Sequence, residues 1–131
     1  MTINIWIVLA ILFVHWVADF VCQTSWQAEN KSKTWDALLK HTLTYSAIWF
    51  LPALAMFALS HPNEPVGWEI PRAFAFTAIT FACHTATDYY TSRVNSMLWE
   101  KKEVHNFFVS IGWDQLLHYI QLILTFYYLA N

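Results

Sequence analysis

The strongest constraint on this chain is that ionisable side chains stand inside apolar runs long enough to cross a bilayer. Histidine and aspartate recur four residues apart in three of these runs: His15 with Asp19, His84 with Asp88 and, in reverse order, Asp114 with His118. The runs cover residues 3–22, 37–59, 72–90 and 113–130. At a rise of about 1.5 Å per residue, each approaches the roughly 30 Å of hydrocarbon that a spanning helix must cover. The expected fold is therefore all-α, an integral membrane bundle of four transmembrane helices forming one domain over 1–131. A composition that is 57% hydrophobic and only 12% charged agrees, because a water-soluble chain of this size would expose large apolar patches. The amino terminus has neither the basic region nor the small-residue cleavage site of a signal peptide, so the first run is expected to remain as a span.

Turn chemistry sets the expected boundaries. Asp36 is placed to cap the second helix, Pro52 to kink it, and Pro71 to open the third. Between helices three and four, residues 91–112 have the apolar spacing of a short helix lying in the interface. HWVADF at His15 and HTATDY at His84 occupy the same end of helices one and three, a faint sign of two repeated hairpins. Lys31, Lys33, Lys40, Arg93, Lys101 and Lys102 lie in or beside the first and third connections, with Arg72 opposite. The positive-inside rule then predicts an inner-membrane protein with both termini outside and the first and third connections cytoplasmic. Tryptophans near both boundaries fit an aromatic belt. A formal charge of −2 with scattered cations excludes a nucleic-acid surface, and Cys22 and Cys83 define no disulfide framework.

A spacing of four places each His/Asp pair on one helical face, and the reversed order on helix four matches the depths of all three pairs. His41 falls at the depth of the other histidines. The result is a layer of four imidazoles, His15, His41, His84 and His118, with the carboxylates of Asp19, Asp88 and Asp114 one turn nearer the cytoplasm. Each buried carboxylate facing lipid would cost on the order of 3 kcal/mol, so these groups must face one another, water or an ion. A lone HxxxD is more often a local hydrogen bond than a ligand pair. Three matched pairs and a fourth histidine point instead to a divalent metal, zinc first, with manganese or iron also suited to imidazole and carboxylate. Cys22, seven residues after His15, is a further candidate ligand.

HxxxDFxxQ from His15 through Gln23 with Lys31 eight residues on, LLxHxxxY from Leu38 through Tyr45, HxxxD at His84, and DQLLH from Asp114 to His118 together resemble an uncharacterised family of small bacterial and phage membrane proteins, known only as a domain of unknown function. A more distant similarity to inner-membrane metal-dependent hydrolases implies a metal. Where a basic residue is expected soon after the second HxxxD, Tyr90 and Thr91 precede Arg93.

Two functional readings follow. In the first, the seven residues hold one or two ions, Asp114 is general base, and Gln23, Lys31 or Arg93 orients an anionic group such as a phospholipid headgroup, giving a hydrolase of lipid or phosphate esters. In the second, the cluster locks the bundle or carries ions or protons, and the protein is a non-enzymatic accessory. Conduction is disfavoured because the outer halves of the helices offer only Thr and Ser, such as Thr77 and Ser46. Expected partners are the bilayer, phospholipid headgroups, and further copies of the chain or other membrane proteins.

Overall fold

The computed structural model describes residues 4–131, in which five α-helices and one π-helical turn account for all regular structure. Ile3, the expected start of the first span, lies outside the described residues. Helix α1 covers Ile5–Trp16 and runs directly into the π-helical turn Val17–Val21. Helix α2 is Ser25–Asn30, α3 Trp35–Ser60, α4 Glu69–Glu100 and α5 Val104–Ala130. Helix α4 is central, packing on both α3 and α5, while α1 lies against α3 and α5. Neighbours run antiparallel. Thr42 meets Thr85 at one level and Phe50 meets Phe74 at another, while the Arg72 Nε donates to the Leu129 carbonyl where α4 begins and α5 ends.

Several boundaries differ from expectation for identifiable reasons. Thr34, not Asp36, caps α3, accepting the Ala37 amide at 3.2 Å, and Asp36 instead pairs with Lys40 at 2.9 Å on the surface. Helix α4 opens at Glu69, so Pro71 sits within its first turn, where a missing amide is harmless. Residues 91–112 form no separate interfacial helix. Nothing in Thr91–Glu100 breaks α4, which continues to Glu100, and α5 begins only four residues later. The break is a left-handed C-cap at Lys102 (φ 59°), with Glu103 N–H bonding the Leu98 carbonyl and Lys102 N–H bonding that of Trp99. Within the supposed loop before α3, Thr24 and Gln27 form a reciprocal capping box that starts α2. The two HxxxD stretches also differ, one entering a π-turn and the other regular α-helix, so the repeat does not extend to the backbone.

One end of the bundle is an apolar core. Trp49, Phe57, Phe76, Leu122 and Phe126 are fully buried there, with Phe57 stacked on Phe126 at 4.9 Å. The outside is also apolar, with Phe13, Leu43, Leu51, Leu59 and Phe74 all exposed. Among the described residues one helix, Trp35–Ser60, is both long and apolar enough to cross a membrane.

Candidate metal centre

The other end of the same bundle gathers the polar residues. The π-turn matters first, because an i→i+5 backbone widens the helix and re-aims what it carries. It closes with Cys22 N–H on the Val17 carbonyl at 2.9 Å. Asp19, at its centre, reaches across to α3, where its Oδ1 lies 3.1 Å from His41 Nε2. From α4, His84 and Asp88 face the same point, and α5 adds Asp114, Gln115 and His118.

The four imidazoles form the expected layer. All are at most 1% exposed, and the rings of His84 and His118 stack at 4.3 Å, with His15–His118 and His41–His84 each at 5.3 Å. Tyr45 is woven into this layer, stacked on His84 at 3.8 Å. His41 and His84 turn the same atom, Nε2, toward each other at 3.2 Å.

The separations among one group of four atoms decide what could sit between them. His41 Nε2 is 3.1 Å from Asp19 Oδ1 and 3.3 Å from Asp88 Oδ2. His84 Nε2 is 3.5 Å from Asp19 Oδ1 and 3.7 Å from Asp88 Oδ2. Four ligands at about 2.1 Å from a tetrahedral ion stand about 3.4 Å from one another. With the 3.2 Å between the two Nε2 atoms, five of the six separations lie near that value, so the four residues could hold such an ion. Asp19, Asp114 and His118 make a second group, with all the atoms of each group within 4.8 Å.

Lys31 closes the first group from α2, its Nζ donating to Asp88 Oδ2 at 2.8 Å and lying 3.5 Å from His41 Nε2. Burial opposes charge on this ammonium, yet Asp88 and Asp19 outweigh it and hold the Lys31 pKa above its ordinary value. The connection that delivers Lys31 is tied to α4 by a hydrogen bond from Ser96 to Ser32.

A cavity of about 520 Å³ opens over the cluster. Its lining includes Asp19, Asp88, Asp114 and Lys31 but none of the four histidines, so the carboxylates face the cavity and the imidazoles lie behind them. The lining also has an apolar part, with Trp99, Phe107, Phe108 and Ile111. Gln23, Ser92 and Asn95 also line it, and each presents a buried oxygen without a hydrogen-bond partner. Such atoms carry a desolvation cost of about 1–3 kcal/mol unless water or a ligand meets them.

The residues expected from sequence are thus distributed as follows. Asp19, His41, His84, Asp88, Asp114 and His118 come together. His15 stands beside them but is engaged elsewhere, its Nδ1 2.6 Å from the Tyr45 hydroxyl and its Nε2 2.8 Å from Gln115 Oε1. Asp114 accepts from the Thr91 hydroxyl at 2.5 Å and from Gln115 Nε2 at 3.0 Å. Gln23 and Lys31 reach the cavity. Arg93 does not. Five residues beyond Asp88 at about 100° each, it lies about 140° off the site's face, where it packs over Tyr89 at 3.7 Å and donates to the Tyr89 carbonyl. Cys22 is exposed and joins neither group. Tyr45, Thr91, Ser92, Asn95 and Gln115 also stand at the site, beyond the residues expected from the sequence. Ser92 and Asn95 follow Asp88 by four and seven residues, the same periodicity that located the His/Asp pairs. Beyond the imidazoles, Gln121 donates to Thr80 and Thr125, so the far half is not limited to Thr and Ser.

Over residues 7–131 the sequence matches the family described as protein of unknown function (DUF3307), and the chain belongs to that family. No curated protein and no solved structure matches it.

Proposed function

We propose that this member of the family is a multi-pass inner-membrane protein that holds a divalent metal at the cytoplasmic end of its bundle and uses it to hydrolyse a phosphate ester, a phospholipid headgroup included, at the membrane surface. The observation that carries the reading is the set of separations among Asp19, His41, His84 and Asp88, all between 3.1 and 3.7 Å where measured, which suits one tetrahedral ion. Two nitrogens and two oxygens favour zinc, and manganese or iron accept the same donors.

Several features support the membrane setting. Helices α4 and α5, of 32 and 27 residues, exceed the length that a bilayer requires. Their hydropathy is diluted by His, Asp, Thr and Gln that face the interior, while Phe74, Ile79, Leu116, Ile120 and Leu124 face outward. Lipid would satisfy that surface. Lysines at the cavity end favour the cytoplasmic side, and a reporter fused after Asn131 should read as periplasmic; a cytoplasmic signal would reverse the orientation.

When bound, the ion would lower the pKa of a coordinated water to about 7. The chain's own residues supply the rest. Asp114, at the cavity wall and held by Thr91 and Gln115, takes up the proton. Lys31 meets the anionic oxygens, Gln23 adds a hydrogen bond, and Trp99, Phe107 and Phe108 cover the apolar part of the substrate. Arg93 takes no part.

The test is phosphate or headgroup release by protein reconstituted in vesicles of anionic phospholipid with zinc or manganese. Turnover should stop on chelation and fall by about 100-fold or more in Asp114→Asn. Turnover that survives chelation, or none on any phosphate ester with metal bound, would overturn the hydrolase. A second reading, in which the cluster only locks the helices, draws on the fact that every one of these carboxylates already has a donor within the protein. It predicts a metal-independent fold and no turnover.

A further inference from the structure

We infer that the centre is built for two ions, bridged by the carboxylates of Asp19 and Asp88. The inference rests on the metal reading above and adds a second position. Each of these carboxylates divides its two oxygens between different partners. Asp88 turns Oδ2 to His41 and His84 at 3.3 and 3.7 Å, but Oδ1 to His118 at 3.2 Å. Asp19 turns Oδ1 to the same two histidines and Oδ2 toward α5, 3.3 Å from Gln115 Nε2. The first position is therefore enclosed by Asp19, His41, His84 and Asp88. The second is enclosed by Asp19, Asp114 and His118, and Asp88 Oδ1 lies 3.2 Å from His118 Nε2 beside it.

Two separations at the second position fall in the range of the first. His118 Nε2 is 3.2 Å from Asp88 Oδ1 and 3.4 Å from Asp114 Oδ1, again the edge of a tetrahedron about an ion with ligands at about 2.1 Å. Carboxylates that bridge in this way hold paired ions about 3.5–4 Å apart, an arrangement used for displacement at phosphorus. Helical bundles build such pairs from carboxylates and histidines on facing helices.

Charge favours the pair independently. The three aspartates outnumber Lys31, the one cation among the cavity-lining residues, by two negative charges. One divalent ion only neutralises the cavity lining. Two leave it positive. Ser92, 7% exposed and without a hydrogen-bond partner, lies in the same cavity and is free to meet a ligand there. Asp114 then offers Oδ1, 3.4 Å from His118 Nε2, as a ligand and keeps Oδ2 for the proton, and His15 becomes a positioning residue. It holds the Gln115 carbonyl oxygen, and the Gln115 amide donates to both Asp19 and Asp114.

Titration of the full-length, detergent-solubilised protein with manganese(II), followed by metal analysis and electron paramagnetic resonance, tests this. Two equivalents with a spin-coupled signal are expected. His118→Ala should keep one equivalent with an uncoupled six-line signal. Saturation of the unmodified protein at one equivalent, or two without coupling, overturns the bridged pair and leaves the single-ion reading standing. A folded His118→Ala that binds two, or none, also overturns the pair. No binding to the unmodified protein overturns both readings.

Discussion

The two ends of this bundle are made from the same helices and solve opposite problems. At one end, Trp49, Phe57, Phe76 and Phe126 fill the space between α3, α4 and α5 with rings and no charge. At the other, a few turns along the same helices, His41, His84, Asp88 and His118 occupy the equivalent inward positions. The aromatic end gains from close packing, whereas the polar end bears the desolvation of three carboxylates and offsets it through a shared set of imidazoles and Lys31. Close apolar packing is therefore concentrated at one end and the candidate ligands at the other, carried on the π-turn, α3, α4 and α5.

That division can be broken by experiment. The largest effect is expected from Phe57→Ala, which should destabilise the bundle by about 3–5 kcal/mol through the cavity it leaves, while any protein still folded keeps its metal. Reversible unfolding in detergent, combined with metal analysis, checks both halves. Next comes Asp19→Asn, which should weaken metal binding at least about 100-fold, since even residues that only support ligands cost 10–100-fold. The metal-free variant should melt only modestly below the metal-free parent, because asparagine keeps a hydrogen-bonding oxygen toward His41 while one of three buried carboxylates is removed. A large loss of stability there would make the polar end part of the scaffold and dissolve the comparison.

A smaller effect sharpens it. Tyr45→Phe removes the hydroxyl that lies 2.6 Å from His15 Nδ1 and should cost about tenfold in metal affinity and about 1 kcal/mol in stability, both readable by competitive titration and thermal melting. The smallest is Cys22→Ser. Exposed and outside both ligand groups, it should change stability by less than about 0.5 kcal/mol and leave metal content unaltered.

What was legible in the sequence follows the same line. Regular helical spacing located His84 with Asp88 and Asp114 with His118, because α4 and α5 are uninterrupted through those residues. The face of α4 could have been followed further, to Ser92 and Asn95, which share its periodicity. Arg93 is near Asp88 in sequence, yet helical rotation carries it away from the site. The π-turn that aims Asp19 at His41 leaves no mark in composition, since its VADFV is equally compatible with an α-helix. Lys31 was recognised as a candidate, but its contact with Asp88 depends on α2 folding the connection back over the cavity. The capping box that begins α2 was readable in TSWQ. The apolar spacing of residues 91–112 suggests an interfacial helix, whereas a left-handed residue at Lys102 suffices to reverse the chain between α4 and α5.

The central claim is that the polar end is a metal centre. Elemental analysis of the full-length protein, purified in detergent without chelators, tests it most directly. The account predicts at least one equivalent of zinc, manganese or iron per chain, lost in Asp19→Asn. Less than about a tenth of an equivalent of any transition metal, in protein that remains folded and was offered these ions, would contradict it.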